Sequence, residues 1–187
     1  LTIGSSGLSV LFNLAYLVFT LYVALAFFAA VVLVPVMLIW RIPIVEFLKA
    51  IKEPALIAFS TTSSEAALPR AMECVEAFGV PRRIVSFVLP LGYSFNLDGT
   101  TLYLSLAAVF VAQAAGVHLS IGQQLLMMLT LLITSKGIAA VPRASLVVLS
   151  GVLTSFGLPL EGVAVILGVD ELMDMARTMV NLVGNCL

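Results

Sequence analysis

The sequence predicts an all-α membrane protein: transmembrane helices plus two re-entrant helical hairpins arranged as inverted repeats. Three observations predict it. Of the 187 residues, 61% are hydrophobic and 10% charged, with mean hydropathy +1.18, whereas soluble domains carry about 25% charged residues. Residues 1–40 contain no Asp, Glu, Lys, Arg or His, enough chain to cross a hydrocarbon core of about 30 Å with tilt. Two apolar stretches are broken at matching places, by Ser64-Glu65-Ala66-Ala67-Leu68-Pro69 and by Gly137-Ile138-Ala139-Ala140-Val141-Pro142. Paired short, broken segments mark inverted repeats that meet near the bilayer midplane, because non-helical backbone survives there only where protein or a cavity satisfies it.

The elements follow in order. Residues 7–40 read as one long transmembrane helix, kinked by Pro35 near its end and stopped by Arg41 to Pro43. A secretory signal is not expected here, since there is no basic n-region or cleavage site and the apolar run is too long. Residues 44–52 read as a short interfacial helix, closing a first region, 1–52. The second region, 53–187, holds the rest. Residues 54–80 are interrupted by Thr61-Thr62-Ser63-Ser64-Glu65 and Pro69, and neither side is long enough to span, so a helix, polar tip and returning helix are expected. Residues 84–115 form a span broken by Asn96-Leu97-Asp98-Gly99-Thr100-Thr101. Residues 121–158 repeat the hairpin around Ser135 to Pro142, and residues 162–187 form a final polar-faced helix. The chain begins with Leu1 and stops at Leu187 inside that helix, so a piece of a longer polytopic protein is expected. Arg41, Lys49, Lys52, Arg70, Arg82 and Arg83 cluster around the first hairpin, which places its base in the cytoplasm by the positive-inside bias. The second hairpin then enters from the other face.

Net charge is −1, with no basic stripe, so no nucleic-acid partner is expected. Cys74 and Cys186 lack metal spacing and read as free thiols. His118 is the single histidine and reads as a loop residue. Without a His/Cys pair or an HExxH motif, an enzyme is not expected.

The last helix carries Asp170, Asp174, Arg177, Thr178, Asn181 and Asn185. At about 100° per residue these fall within roughly a third of the circumference. Ionisable residues inside a membrane segment cost a few kcal/mol each and mark substrate or ion pathways. Arg177 can hold a carboxylate through two parallel bonds, Asp174 can hold an ammonium, and Thr178 and Asn181 add directional bonds. The alternative is an internal salt bridge of Arg177 with Asp174 or Asp170. In the broken span, Gly99 permits unwinding, while Asp98 and Asn96 offer the oxygen ligands that hard cations prefer. Asp98 could equally pair with a neighbouring Lys or Arg. Ser63 and Ser64 stand at a helix N-terminus that attracts carboxylates.

Together, Asn96-Leu97-Asp98-Gly99-Thr100, the Ser63-Ser64-Glu65 tip ending in Leu68-Pro69, the Ser135-Lys136-Gly137 to Pro142 tip, and Asp170-x-x-x-Asp174-x-x-Arg177-Thr178-x-x-Asn181 resemble the dicarboxylate/amino acid:cation symporters, the glutamate transporter fold. The resemblance covers residues 55–187 by motif, and residues 7–52 fit the preceding helix, the sixth of that family. It implies an elevator-type transporter in the plasma membrane or bacterial inner membrane, multi-pass and homotrimeric, with hairpin 1, an unwound seventh helix, hairpin 2 as extracellular gate, and the eighth helix. The trimerisation scaffold and third helix would lie outside this chain. The resemblance implies that Ser63, Ser64, hairpin 2 around Val141, and Asn181 hold the substrate's main-chain carboxylate. It implies that Asp174 holds the amino group, and that Arg177, with Thr100 and Thr178 nearby, holds the side-chain carboxylate. Gly92, Asn96, Asn181 and Asn185 would line one cation site, Ser94 and carbonyls from Ser135 to Gly137 a second, and Asn96 with Asp98 part of a third.

Three positions depart from the sodium-coupled pattern. Asn185 stands where many sodium-driven members carry Asp, Lys136 lies in the hairpin 2 tip, and Leu104 occupies the place of a proton-binding Glu. This pattern is more similar to bacterial proton- or proton/sodium-coupled glutamate symporters, with Glu65 and Asp98 as the candidates for protonation. The expectation is symport of L-glutamate or L-aspartate with protons and/or sodium and no other cofactor. A C4-dicarboxylate symporter and a channel-like ion pore are the alternatives.

Overall fold

A single apolar column opens the chain in the computed structural model, which describes residues 7–136 and 143–187. It comprises α1 (Leu8–Phe28), a π-helical turn (Ala29–Leu33) and α2 (Val34–Ile39). The wide turn has a local cause. Pro35 has no N–H for the Val31 carbonyl, and its ring crowds that carbonyl. The preceding turn opens instead, and the Val34 N–H bonds the Ala29 carbonyl five residues back. Large apolar side chains on this column, Phe12, Tyr16, Phe19 and Phe27 among them, face outward.

Next come α3 (Ile44–Thr61) and α4 (Ser64–Phe78), which pack on each other across a two-residue turn. Thr62 makes that turn with a left-handed backbone, φ 51°. The separate interfacial helix expected at 44–52 is not there: α3 runs unbroken through Pro54. Its buried face, Phe47, Ile51, Pro54, Ala55 and Ala58, keeps helical spacing across the proline, so packing outweighs the missing hydrogen bond. Arg70 ties the two arms, donating to Glu53 at 2.7 Å and Glu73 at 2.6 Å.

Helices α5 (Arg82–Phe95) and α6 (Asp98–Ala114) are separated only by Asn96 and Leu97. A capping box at Ser120 and Gln123 starts α7 (Ile121–Thr134), and α8 (Ala144–Ser155) packs against α7. The expected tip at Gly137 to Pro142, including Val141, lies outside the described residues. The final segment is two helices rather than the one expected over 162–187: α9 (Glu161–Ile166) and α10 (Asp170–Cys186). Gly168, a poor helix former, sits in the break, and Val169 has φ −122°. The break lets Ile166 and Asp170 both be fully buried.

α10 is the axis of the assembly and touches α1, α3, α4, α5 and α6. Two apolar cores meet along it. Its N-terminal half, through Met173, Ala176 and Val180, joins the core made by α1, α6, α7 and α8 with Tyr103, Leu104, Leu131 and Leu149. Its C-terminal half, through Leu182 and Cys186, joins the core made by α2 to α5 with Phe47, Ile51, Val85 and Tyr93. Among the described residues, two helical stretches, Val10–Ile39 and Arg82–Ala114, are long and apolar enough to cross a bilayer.

Candidate functional site

The polar face of α10 is turned inward. Asp170, Asp174, Arg177, Thr178 and Asn181 are all buried, Arg177 at 2% exposure and Asp170 at 0%. Its apolar positions Met173, Ala176 and Val180 are buried too, while Glu171 and Leu172 are exposed. An inward polar stripe requires partners, because an unpaired buried charge costs several kcal/mol.

Most of those partners are internal. Arg177 Nε donates to Asp174 Oδ1 at 2.9 Å. Arg177 Nη1 lies 3.6 Å from Asp170 Oδ1. The guanidinium carbon sits 3.9 Å above the centre of the Tyr103 ring, a cation–π contact strengthened by desolvation. Thr178 Oγ1 donates to Asp174 Oδ1 at 3.0 Å, and the Arg143 N–H donates to Asp174 Oδ2 at 3.0 Å. The internal salt bridge weighed from the sequence is therefore formed, with both acids on one guanidinium. Neither Asp170 oxygen nor Arg177 Nη1 has a well-formed hydrogen bond, so the cluster retains capacity for a polar ligand. Tyr103, whose hydroxyl faces Asp170, was not singled out from the sequence. Its signal is faint, an aromatic residue one turn beyond Gly99.

The break between α5 and α6 lies against the other half of α10. Asn181 caps α6: its Oδ1 accepts from the Gly99 N–H at 2.8 Å and the Thr100 N–H at 3.4 Å, and its Nδ2 donates to Thr100 Oγ1 at 2.8 Å. These are first-turn donors with no intrahelical acceptor. Gly99 is required by this approach, since a Cβ there would stand 2.6 Å from the Arg177 carbonyl oxygen. Gly92 abuts Asn185, with a virtual Cβ 2.5 Å from its Oδ1. Asn96 and Asp98 face Gly184 of α10, at 3.2 Å and 3.8 Å from the position a Cβ would take. Gly92, Asn96, Asp98, Asn181 and Asn185 are thereby gathered on one side of α10. Asn185 Nδ2 is buried without a partner. Ser94, on the same stretch of α5, is half-buried.

The two hairpins contribute differently. Ser63 caps α4 by accepting from the Ala66 N–H at 3.3 Å, and Ser64 is buried. Glu65 is exposed, away from the buried cluster. Ser135 is buried and shares a 3.3 Å hydrogen bond with Thr101, bringing the end of α7 onto the first turn of α6. Lys136 follows it, its N–H bonding the Ile133 carbonyl at 3.2 Å.

Opposed acids, a guanidinium and amides thus gather around a broken helix. The profile described as the sodium:dicarboxylate symporter family matches residues 1–187. The chain belongs to that family. Over 186 residues it is 53% identical to a proton/sodium-glutamate symport protein of Bacillus subtilis (strain 168), covering 100% of this chain and 43% of that relative. It is 51% identical to a proton/glutamate-aspartate symporter of Escherichia coli (strain K12), with the same coverage. To a C4-dicarboxylate transport protein of Bacillus subtilis (strain 168) it is 44% identical over 185 residues, covering 98% of this chain and 44% of the relative. The chain thus spans less than half the length of these curated relatives. As a family of symporters, its members are membrane proteins, and the all-helical architecture is consistent with that.

Proposed function

We propose that this chain forms the substrate- and ion-binding part of a secondary active symporter for acidic amino acids, L-glutamate or L-aspartate, driven by a proton and/or sodium gradient. The observation that carries the reading is the buried Asp174–Arg177 pair on the inward face of α10. An amino acid with an acidic side chain replaces it like for like: its ammonium takes Asp174, and its distal carboxylate takes Arg177 beside Thr178. Most of the desolvation cost of those charges is already met in the folded protein. Thr100 and Asn181 lie alongside, and the α4 N-terminus at Ser63 and Ser64 is the place for the second carboxylate. The names of the 53% and 51% identical relatives support this choice of substrate.

The same cluster supplies a reason for ion coupling. Asp170 and Asp174 against Arg177 give two negative charges and one positive, a net −1. An acidic amino acid adds another −1. Burying that excess requires a cation, and the oxygens of Asn96, Asp98, Asn181 and Asn185 and the backbone at Gly92, Ser94 and Ser135 are where it would bind. Protonation of Asp98 is the other route, whereas the exposed Glu65 is less suited. In the complete protein, α3–α4 and α7–α8 act as re-entrant hairpins in an inverted-repeat transport domain. That domain moves as an elevator within a homotrimer in the plasma or inner membrane.

The test is uptake of labelled L-aspartate by proteoliposomes containing the complete protein, with inward proton and sodium gradients imposed one at a time. Saturable, gradient-dependent uptake, inhibited by L-glutamate, is expected. Equal transport of aspartate and succinate would overturn the amino-acid assignment, and ohmic current without substrate would favour a pore.

A further inference from the structure

Arg143 opens α8 in a left-handed conformation, φ 62° and ψ 7°, which residues with a Cβ rarely adopt. It grips α10 at two points. Its backbone N–H donates to Asp174 Oδ2 at 3.0 Å, and its Nη2 pairs with Glu171 Oε2 at 3.2 Å. Glu171 and Asp174 are three residues apart and so neighbours along one helix. The two grips differ in surroundings. The first ends on a buried carboxylate, and the second is half-exposed on both sides.

Asp174 Oδ1 already receives Arg177 Nε and the Thr178 hydroxyl. Oδ2 receives the Arg143 N–H. Oδ2 is therefore the oxygen at which an incoming ammonium competes, and its competitor is a neutral amide. The ammonium brings a full positive charge to the carboxylate where the amide brings only a partial one, and in a buried site the attraction between two full charges is the stronger, so the ammonium displaces the amide. The first grip is then lost on binding, and the second alone holds the start of α8 against α10.

We propose that the Arg143–Glu171 ion pair is a substrate-dependent tether. It duplicates the Arg143 N–H···Asp174 bond in the unliganded protein and replaces it once an amino group occupies Asp174. This rests on the reading of Asp174 as the amine-holding residue. Arg143 and Glu171 are positioning residues, since neither touches the ligand in this scheme.

The experiment is calorimetric titration of the complete protein with L-aspartate, paired with thermal unfolding without ligand. Glu171→Gln and Arg143→Gly each weaken binding about two- to fivefold, the range of an exposed or half-exposed pair. The double variant is no weaker than either single one, because both remove one interaction. Arg143→Gly keeps the backbone donor and relieves the left-handed strain, so its unliganded unfolding midpoint does not fall. The charge-swapped Arg143→Glu/Glu171→Arg protein recovers affinity. Unchanged aspartate affinity in both single variants, additive losses in the double, or an unliganded midpoint that falls in parallel with affinity would each overturn the tether. Absence of L-aspartate binding by the wild-type protein would instead overturn the proposed function, and the tether with it.

Discussion

Gly99→Ala tests whether the broken span is held against α10 as described. A Cβ at residue 99 would lie 2.6 Å from the Arg177 carbonyl oxygen, 3.1 Å from the Arg177 Cα and 3.1 Å from Asn181 Oδ1. Two of those three atoms are backbone inside a buried helix and cannot rotate away, so α6 must move off α10. Overpacking of this kind costs about 1–3 kcal/mol. The bond from the Gly99 N–H to Asn181 Oδ1, 2.8 Å long, is stretched with it, adding about 0.5–1.5 kcal/mol. Alanine's better helix propensity returns up to about 1 kcal/mol, leaving a net loss of about 0.5–4.5 kcal/mol. For a chain of this size that corresponds to an unfolding midpoint lower by roughly 1–18 °C, centred near 7 °C. The assay is thermal unfolding of the purified protein in detergent, with Gly92→Ala as control. At residue 92 the clash is with the Asn185 side chain alone, which can turn aside, so the control should lose less. A Gly99→Ala midpoint within about 1 °C of wild type, or a larger loss in the control, would refute the packing argument.

Arg177→Ala leaves the carboxylates of Asp170 and Asp174 buried without their guanidinium, and is expected to cost about 3–5 kcal/mol. Adding Asp170→Asn in that background should recover part of the thermal stability but none of the L-aspartate binding. Tyr103→Leu removes the ring beneath Arg177 and should cost about 1–2 kcal/mol more than Tyr103→Phe, which keeps it; denaturation midpoints compare the two. Asn185→Asp places a carboxylate beside Gly92, where the native amide nitrogen has no partner. Uptake in proteoliposomes should then depend more steeply on sodium, and an unchanged sodium dependence would remove Asn185 from the cation site.

The class and the buried polar stripe were legible because an apolar chain makes them conspicuous. Charges in an apolar chain are rare enough that Asp98, Asp170, Asp174 and Arg177 stand out without a structure, and the 100° helical period alone puts five of α10's polar residues on the face that proves buried. The Asn96-Leu97-Asp98-Gly99 break was legible for a similar reason, since a glycine beside polar residues in an apolar run favours neither helix continuity nor burial in lipid. The joint at Pro54 and the break at Gly168 were misread. Proline and glycine report local cost only, and whether a helix continues depends on the surface it buries. Along α3 that surface is continuous through Pro54, whereas at Gly168 the chain must turn for both Ile166 and Asp170 to be buried.

By itself, the sequence determined an all-helical membrane protein with an inward polar helix, because both follow from composition and period. Only the tertiary structure decided which polar groups meet. It seated Arg177 on Tyr103, used Asn181 to cap α6, and brought Arg143 from the start of α8 onto Asp174. Those pairings join residues that are 31 to 82 positions apart where the hydrogen bonds are recorded. No local pattern encodes them, since they arise from two separate cores closing on the two halves of one helix.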